Sequence, residues 1–308
     1  MAHIHLNDRL TTNLRLIITM VLNLVITATE LVGGLLAGSL SLISDALHNL
    51  SDGISVLITF IAIRLKSREH SYRHTFGLKR AEIFAAVINA VVLIGITGYL
   101  LYESIARLIH SSPVEGGLMS MVAGVGLVAN VIGTWLLHRD AASSLNIRSS
   151  YLHLFSDALS SLAVLLGGLA IYFWQAYFLD PLLTLVIGLY ILYQSYQVLG
   201  QAVHVLMEGA PPDIDLEEIR RAVESIPEVR DMHHLHIWTV GENDVHLEAH
   251  VNVCDMRVSE TQPILTEIEK RLLERFNIRH VTIQFECDQC PEIGLIHRGE
   301  SRQLARKM

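Results

Sequence analysis

The sequence predicts an α-helical membrane protein with six transmembrane helices and a C-terminal cytosolic α/β domain. Of its 308 residues, 51% are apolar and 18% are charged, whereas soluble domains average about 25% charged residues. Long apolar runs fill the chain from Leu14 to Met207, and most of the charged residues follow Pro211. The predicted parts are an N-terminal cytosolic tail at 1–12, a membrane domain at 13–208, a cytosolic domain at 209–290 and a C-terminal tail at 291–308.

Six segments are long and apolar enough for transmembrane helices, since a bilayer-spanning helix needs about 20 mostly apolar residues. The last of them has no charged residue from Pro181 to Val203. The N-terminal stretch MAHIHLNDRL does not have the layout of a signal peptide, so we expect it to be retained. The six segments are Leu14–Leu36, Leu40–Leu65, Ala81–Leu108, Gly116–Leu137, a segment centred on Tyr151–Phe173, and Pro181–Met207.

Lysine and arginine residues lie mainly in two of the predicted loops, and such loops are expected on the cytosolic side. The loop after the fourth segment carries Arg139 and Arg148, whereas only Arg107 lies near the loop after the third. The turn after the first segment and the stretch WQAYFLDP before the sixth carry none. Both termini are therefore predicted in the cytosol. The loop after the second segment carries Arg64, Lys66, Arg68, Arg73, Lys79 and Arg80.

Two histidine–aspartate pairs lie inside the predicted membrane segments. His48 and Asp52 are four residues apart in the second segment, and His153 and Asp157 are four apart in the fifth. Residues at this spacing share one face of a helix. Counted from the cytosolic ends of their segments, both pairs lie roughly 20 Å deep at a rise of 1.5 Å per residue. The four side chains are therefore predicted to meet.

These side chains suit a divalent metal ion. An ionised carboxylate at the centre of a membrane helix costs about 2.5–3.5 kcal/mol, and two imidazoles and two carboxylates around one dication offset most of that cost. Nitrogen and oxygen ligands in a fourfold site suit zinc, while cobalt, nickel, iron or cadmium fit the same ligand types. Interhelical hydrogen bonds would explain one pair equally well, but two identical pairs at one depth favour a metal site.

Three more polar residues interrupt the apolar segments. Asp45 and Glu30 are expected nearer the outer surface than the two pairs, with Asp45 on the helix face of His48. They either support the metal site and line an exit path, or lie in a water-filled cavity without a specific role. Asn130 is expected to form a hydrogen bond between helices rather than to bind metal.

The pairs HNLSD and HLFSD in a chain of six membrane segments resemble the cation diffusion facilitator family of metal transporters, most closely its bacterial zinc and cobalt-zinc-cadmium efflux members. The resemblance implies a homodimer in the bacterial inner membrane, in contact with lipid and without a nucleic-acid partner. It further implies that cytosolic Zn²⁺, and also Cd²⁺ or Co²⁺, is exchanged for protons by alternating access, which confers metal resistance. The other matching stretches are TELVGGLLAGSLSLISDALHNLSD, RHTFGLKRAEIFAAVINA, GLVAN, SSLNIRSSYLHLFSDALSS, LMEGAP, HLHIW and HVTIQFE.

Proton exchange follows from the chemistry of the two histidines. Histidine binds metal only when it is neutral, and its ordinary pKa is about 6.5, so protons compete with metal at His48 and His153. A site open to a more acidic outside would release metal, and the same site open to the cytosol would reload. The resemblance also implies a charge pair between Arg80 and Glu208, which either locks the halves of the membrane domain together or is a solvated surface pair.

The cytosolic tail predicts a two-layer α/β domain of the order α-β-β-α-β, similar to ferredoxin-like metallochaperone domains. Asp215 is the expected cap of the first helix, and alternate apolar residues from Val245 to Val253 indicate a strand with one buried face. The predicted elements are a helix at Leu216–Ile226, strands at Arg230–Val240 and Val245–Val253, a helix at Ser259–Phe276 and a strand at His280–Glu286.

The tail also contains candidate metal ligands. The resemblance implies a cytosolic metal site at His233, His250 and Glu286, where Zn²⁺ would have a structural or regulatory role. Two cysteines form a C-x-x-C motif, which is half of a zinc site, although a dithiol without a ligand role is an equal alternative. With Cys254 they are expected to stay reduced in the cytosol. The further candidate ligands are Cys287, Cys290, His280, His3 and His5.

A metal/proton antiporter is the function that the sequence favours, and the chain is not expected to be an enzyme. An intramembrane metalloenzyme would need an HExxH helix or a separate general base beside an open metal position, and no HExxH occurs. A membrane-anchored metal sensor would explain the tail but would leave the two membrane pairs unused.

Overall fold

The computed structural model describes residues 21–66, 72, 74–138, 145–241, 244–287 and 295. Six helices form the membrane domain, and the described part of the first is Val21–Ala37, here called α1. Wherever the structure describes both, the ends of the helices lie within two residues of the predicted ends, except that the fifth begins earlier, at Leu145. The others are α2 (Leu40–Lys66), α3 (Ala81–Ile109), α4 (Gly116–His138), α5 (Leu145–Trp174) and α6 (Leu179–Leu206).

Four of these helices, α3 to α6, are long and apolar enough to cross a membrane by length and composition alone. The described part of α1 is a shorter apolar helix. Helix α2 has 27 residues but is less apolar, because it carries Asp45, His48 and Asp52. The chain therefore has the helical transmembrane domain that the sequence predicts, and its least apolar long helix is the one that carries the first pair.

The start of α2 is held by a carboxylate from α6. Asp180 Oδ1 accepts hydrogen bonds from Ser39 Oγ at 2.6 Å, Ser41 Oγ at 2.7 Å and Ser41 N at 3.2 Å, and its Oδ2 accepts one from Leu40 N at 2.9 Å. The Asp180 side chain is completely buried. It acts as the N-terminal cap of α2, whose first N–H groups have no partner within the helix.

The turn between α1 and α2 is fixed from a third helix. Gly38 has a φ of +68°, a left-handed conformation that a residue with a Cβ adopts only with strain. Its carbonyl oxygen accepts a hydrogen bond of 2.6 Å from Arg107 Nη1 on α3. Arg107 thus ties this end of α2 to α3, and Asp180 ties it to α6. Ser104 Oγ on α3 in turn donates to Pro181 O on α6 at 2.6 Å.

Helices α4 and α5 approach each other closely. A Cβ atom added at Gly168 would stand 2.5 Å from Ser120 Oγ, and one at Gly116 would stand 2.6 Å from Tyr172 N. Only glycine allows the two backbones to lie this near, as at other small-residue contacts between membrane helices. The buried core around this contact consists of Ala37, Leu42, Val114, Met119, Val122, Ala123, Val164 and Ile171.

The cytosolic domain has the predicted order α-β-β-α-β. Asp215 caps its first helix by accepting a hydrogen bond of 2.9 Å from Glu217 N, and Asn277 ends the second helix in a left-handed conformation with φ of +54°. The sheet order is β1-β2-β3, with β1 and β2 antiparallel and β2 and β3 parallel. The elements are α7 (Leu216–Glu224), β1 (Val229–Gly241), β2 (Asp244–Val253), α8 (Val258–Phe276) and β3 (His280–Glu286).

The helices of this domain cover one face of the sheet. From β2, Leu247, Ala249, Val251 and Val253 are buried on that face, as the alternation in the sequence predicts. The core that they form with the two helices contains Ile219, Val223, Ile226, Val229, Met232, Leu235, Ile237, Ile264, Ile268, Leu272 and Ile278.

The chain forms two compact units, of which the first comprises Met1–Ile61 and Ala85–Leu199 and the second Ala62–Phe84 and Gly200–Met308, as far as these are described. The connection between α2 and α3 therefore belongs to the same unit as the sheet. Within this unit, the Phe76 ring lies 5.2 Å from the His246 ring, and Lys79 Nζ lies 3.3 Å from Asp244 Oδ2.

Replacing Asp180 by alanine is expected to destabilise the membrane domain by about 3 kcal/mol or more, because the substitution leaves several buried donors without an acceptor. Thermal unfolding of the purified protein in detergent measures the loss. The matched control is Thr29→Ala, which removes an exposed hydroxyl bonded only to Val25 O in its own helix. Equal melting temperatures for the two variants would contradict the assigned role of Asp180.

Candidate metal centres

The structure brings the two histidine–aspartate pairs together on facing sides of α2 and α5. His48 and Asp52 lie one turn apart on α2, and His153 and Asp157 lie one turn apart on α5. The two helices run in opposite directions, so each histidine faces the aspartate of the other pair. The meeting of the four side chains, which the sequence predicts from equal depth, is thus observed.

The distances between their ligand atoms are close to equal. His153 Nε2 lies 3.2 Å from Asp52 Oδ2 and 3.5 Å from Asp157 Oδ2, and His48 Nε2 lies 3.8 Å from Asp157 Oδ1. Within the first pair, His48 Nδ1 and Asp52 Oδ2 are 3.7 Å apart. Ligand atoms at 2.0–2.1 Å from a tetrahedral zinc ion are about 3.3 Å from each other. His48, His153 and Asp157 each offer one ligand atom within 4.8 Å of the others, which fits one small cation. Asp52 Oδ2 lies beside His153 Nε2 but faces the other nitrogen of His48, Nδ1.

The polar atoms of this site have few other partners. Asp52 Oδ2 and Asp157 Oδ2 are buried without a hydrogen-bond partner in the described structure. The Asp157 side chain is 4% exposed, whereas the Asp52 and His153 side chains are 34% and 39% exposed. A cavity of about 140 Å³ adjoins the site and is lined by His48, Ser51, Asp52, Ser55, Asn89, Ala90, Leu93, His153, Ile191, Gln194, Ser195 and Val198.

The residues around the site include several that the sequence patterns do not single out. The Tyr190 ring lies 6.2 Å from the His48 ring in an edge-on arrangement, and Asn89 Nδ2 donates to Ser51 Oγ at 3.0 Å. Single polar residues on otherwise apolar helices give no signal of this kind, because their neighbours depend on how the helices pack.

Asp45 and Glu30 are both buried. Asp45 is 2% exposed and accepts a hydrogen bond of 2.8 Å from Ser160 Oγ on α5. Glu30 is 1% exposed and accepts one of 3.0 Å from Asn49 Nδ2 on α2. Asn130 Nδ2 on α4 reaches Ser161 Oγ on α5 at 3.5 Å, the interhelical contact expected of it. The supporting role suggested for Asp45 and Glu30 stays a prediction at this point.

A second cluster lies in the cytosolic domain. His233 on β1 is the register partner of His250 on β2, and Glu286 on β3 is the partner of Asn252. Glu286 places one oxygen 3.4 Å from His233 Nε2 and the other 2.8 Å from His250 Nδ1. His233 Nε2 and Glu286 Oε2 are buried without hydrogen-bond partners in the described structure. The three residues can thus offer two nitrogens and a carboxylate to one ion.

An aspartate that sequence reasoning missed orients this cluster. Asp231 Oδ1 lies 2.7 Å from His233 Nδ1, and Asp231 Oδ2 accepts a hydrogen bond of 2.7 Å from Asn252 Nδ2. The contact places a hydrogen on Nδ1 and leaves Nε2 as the free lone pair that a metal requires. An irregularity in strand pairing between Val229 and Asp231 makes this contact possible, and the sequence does not announce it.

The other proposed cytosolic ligands do not form one group. His280 begins β3 and Cys287 follows its end, so they stand at opposite ends of a strand roughly 20 Å long and cannot share an ion within one chain. The His280 ring instead lies 4.2 Å from the His246 ring. Cys254 and Cys287 are exposed thiols. Cys290, His3 and His5 lie outside the described residues.

The charge pair expected from the resemblance is formed. Arg80 Nη2 lies 3.1 Å from Glu208 Oε1. Arg80 is one-third exposed and Glu208 is mostly exposed, and a pair with this exposure contributes about 0–1 kcal/mol. By its exposure, the contact has the strength of a solvated surface ion pair.

Comparison with known proteins gives two matches that together cover most of the chain. Residues 16–207 match the cation efflux transmembrane domain, and residues 211–288 match the cytoplasmic domain of cation efflux proteins. The zinc transporter ZitB of Pectobacterium atrosepticum is 33% identical over 99% of this chain and 95% of its own length. ZitB of Escherichia coli is 38% identical over 85% of this chain and 83% of its own. A cadmium, cobalt and zinc/H⁺-K⁺ antiporter of Bacillus velezensis is 39% identical over 83% of each chain.

His246 is expected to make the cytosolic domain sensitive to acid. Burial lowers the pKa of its imidazole, and the neighbouring His280 and Lys79 lower it further. The unfolded chain has the ordinary pKa of about 6.5, so it binds the proton more readily than the folded protein does. The stability that this neutral imidazole contributes is complete above that pH and is lost as the pH falls from about 6.5 to the folded value.

Thermal unfolding at a series of pH values, with a chelator present, measures this effect. The decrease in melting temperature below about pH 6.5 should be smaller in His246→Gln than in the unchanged protein. The exposed His110 gives the matched control, His110→Gln, which should leave the pH dependence as it is. A pH dependence that is the same in all three proteins would contradict the assigned environment of His246.

Proposed function

The chain belongs to the cation diffusion facilitator, or cation efflux, family, and from this premise we propose that it exports Zn²⁺ from the cytosol in exchange for protons. The observation that carries the proposal is the meeting of His48, Asp52, His153 and Asp157 between two helices of the membrane domain. The names of its relatives, which include zinc transporters and a cadmium, cobalt and zinc antiporter, support the choice of metal. Cd²⁺ and Co²⁺ are the expected further substrates.

The ligand set suits a transported rather than a catalytic ion. Four protein ligands complete a tetrahedral zinc site and leave no position for a substrate or an activated water molecule. The family is one of membrane transporters, and the chain is not an enzyme, which sets the metalloenzyme alternative aside. A sensor without transport would give no task to four convergent ionisable groups inside the membrane domain.

Competition between metal and protons provides the coupling. Zn²⁺ takes the lone pairs of two neutral imidazoles and the charges of two carboxylates, so an ion that enters displaces any proton held by His48 or His153. When the site faces a more acidic solution, protons reclaim the imidazoles and the metal is released. As the two histidines alternate between the zinc-bound and the protonated form, zinc is exchanged for protons.

The route to the site begins at the C-terminal end of α2 and the N-terminal end of α5, the ends nearer to the more exposed ligands. Asp52 and His153 are the more exposed ligands, and each lies nearer the C-terminal end of α2 or the N-terminal end of α5 than its partner in the pair. The adjoining cavity continues in that direction past Ser55 and Val198. In the orientation predicted from the basic loops, this is the cytosolic side of the bacterial inner membrane, and both termini lie there.

The cytosolic domain is proposed to form the homodimer and to hold a regulatory Zn²⁺ ion. His233, His250 and Glu286 fit this ion, because two orphaned buried atoms and a correctly oriented imidazole converge there. Bound zinc would cross-link β1, β2 and β3 on the face of the sheet opposite to α7 and α8. Cytosolic zinc could then set the stability of the dimer before it is transported.

Replacing His48 or His153 by alanine is expected to abolish zinc transport, because three ligands hold the ion too weakly and one site of proton competition is lost. Asp52→Asn and Asp157→Asn should do the same. The measurement is zinc uptake into proteoliposomes with an imposed pH gradient. The matched control is His138→Ala, since His138 is an exposed histidine of the membrane domain at the end of α4.

Gradient-driven flux in the unchanged protein and in His138→Ala, together with its loss in the four ligand variants, would support both the site and the counter-ion. Flux at the unchanged rate in any ligand variant would contradict the assignment of that residue. Zinc binding without flux in the unchanged protein would favour the sensor alternative.

Replacing Asp231 by asparagine is expected to weaken the cytosolic zinc site about 10- to 100-fold, the usual effect of losing a carboxylate that orients a metal-binding histidine. Zinc titration against a competing chelator measures it, in a background carrying His48→Ala so that the membrane site does not contribute. Asp255→Asn, at an exposed position, is the control. Unchanged affinity in the Asp231 variant would show that His233 does not bind zinc through Nε2.

A further inference from the structure

Glu30 on α1 is a buried carboxyl group that the metal site does not use. It is 1% exposed. Asn49 Nδ2 donates one hydrogen bond of 3.0 Å to its Oε2, while its Oε1 is buried and has no hydrogen-bond partner in the described structure. One neutral donor is a weak partner for a charge in this environment, so the state of this group needs an explanation.

The surroundings of Glu30 are unfavourable for a negative charge. In the described part of the chain no lysine, arginine or histidine forms an ion pair with it, and its electrostatic neighbours are Asp45 on α2 and Asp157 on α5. A lone carboxylate inside a membrane domain costs several kcal/mol, and like charges nearby add to that cost. A proton bound at Oε1 would neutralise the carboxylate and remove this cost.

Glu30 Oε1 lies against a glycine of α4, in surroundings that leave room for a proton on this oxygen. A Cβ atom at Gly126 on α4 would stand 2.5 Å from Glu30 Oε1, so the absence of a side chain there allows the carboxyl group to lie against the α4 backbone. Ser161 Oγ would be 3.4 Å from that added Cβ atom. Two amide oxygens, Asn49 Oδ1 and Asn130 Oδ1, are buried without a hydrogen-bond partner among the described residues. Such acceptors suit the O–H group of a protonated carboxylic acid.

Hydroxyl and amide groups of α4 and α5 lie close to Glu30 and to Asp45. Asn130 Nδ2 reaches Ser161 Oγ at 3.5 Å, and the neighbouring Ser160 donates to Asp45 Oδ1 at 2.8 Å. Both serines lie one turn beyond Asp157 on α5. Hydroxyl groups both donate and accept, so they can pass a proton between carboxylates, and buried carboxyl chains of this kind mark proton pathways in membrane transporters.

We propose that Glu30 is a proton-binding site of the transport cycle, separate from the four metal ligands. The inference rests on the proposed zinc/proton exchange and adds a second place where the exchanged protons bind. Glu30 takes up a proton at Oε1 when the site is open to the more acidic side, and the new O–H bond replaces one broken in a hydronium ion. It gives the proton back to water through Asp45 and the two serines on the opposite side.

The groups that face Glu30 determine when this happens. Asp45 and Asp157 are the titratable neighbours, and α4 presents Gly126 and Asn130, which do not titrate. When zinc is bound, its charge lies beside Asp157 and reduces the repulsion that Glu30 experiences, compared with the empty site before its imidazoles are protonated. The proton on Glu30 is then held less tightly. Zinc entry and proton release are therefore linked electrostatically, although the two cations never share a ligand.

The test is Glu30→Gln, which keeps the shape and the hydrogen bond from Asn49 but cannot take up a proton. In proteoliposomes, zinc uptake and proton movement are recorded together with a metal indicator and an entrapped pH dye. Proton movement per zinc ion should fall by about one proton, and the acceleration of uptake by the pH gradient should decrease. Zinc affinity in detergent should stay within about twofold of the unchanged protein, since no metal ligand is altered.

Glu115→Gln is the matched control, because it removes the same charge from an exposed position of the membrane domain and should change neither quantity. An unchanged proton-to-zinc ratio in Glu30→Gln would overturn the inference. Loss of zinc binding would also overturn it, since Glu30 would then support the metal site. A changed K⁺ dependence with an unchanged proton ratio would assign the position to a monovalent cation instead.

A second variant keeps the inference testable if Glu30→Gln does not fold. Asn130 Oδ1 is a buried acceptor without a hydrogen-bond partner among the described residues, and on this proposal it accepts from the O–H group. Asn130→Leu then disfavours the protonated form, so the pH profile of transport should move to more acidic values. An unmoved profile would count against the inference. Absence of gradient-driven flux in the unchanged protein would overturn the proposed function itself. Normal flux in the unchanged protein, with the same proton-to-zinc ratio in Glu30→Gln, would overturn only this inference.

Discussion

Ionisable side chains inside a membrane domain are stable only where an opposite charge or a hydrogen-bond donor lies next to them. In this structure, the packing of the helices determines whether the two histidine–aspartate pairs meet in this way. Each histidine–aspartate pair spans one helical turn, so the relative position of α2 and α5 alone decides whether four ligands meet. Asp180 fixes the start of α2 with four hydrogen bonds. The glycine contact between α4 and α5 fixes the other helix. Ligand distances of 3.2–3.8 Å therefore result from helix packing.

The two candidate metal centres differ in a way that suits the proposed transport at one and retention of an ion at the other. In the membrane site, the ion-pair contacts that the structure describes for His48 and His153 are with the candidate ligands Asp52 and Asp157 themselves, and the two sides of the site differ in exposure. In the cytosolic site, Asp231 holds His233 at 2.7 Å, and His233 is almost completely buried. An oriented and enclosed ligand favours slow release of an ion. A site that must load and unload in every cycle benefits from ligands that can turn away from the ion.

Much of this arrangement could be predicted from the sequence. Apolar length predicts the helices, and the spacing of His48–Asp52 and His153–Asp157 predicts the candidate ligands that the fold brings together, because both depend on local periodicity. Asp180, Asp231 and the partners of Glu30 could not be found in the same way. Asp180 meets residues distant in sequence, such as Ser39, and these contacts exist only after packing. Asp231 is only two residues from His233, but its direction also depends on the pairing of β1 with β2, where it meets Asn252. Whether His280 and the cysteines bind metal stays a prediction, although β3 separates His280 from Cys287 within one chain.

Charge balance explains why a dication and protons should exchange in this molecule. With zinc bound, the charges of Asp52 and Asp157 are neutralised, and both imidazoles are neutral as ligands. Without zinc, the two carboxylates face Asp45 and Glu30 across a few turns of helix in an interior of low dielectric constant, where like charges repel strongly. Protonation of the imidazoles repairs only the part of this imbalance that lies at the metal site. Glu30, which is almost completely buried and has no cationic partner among the described residues, lies beyond it. A proton there completes the neutral state in which the empty site can reorient.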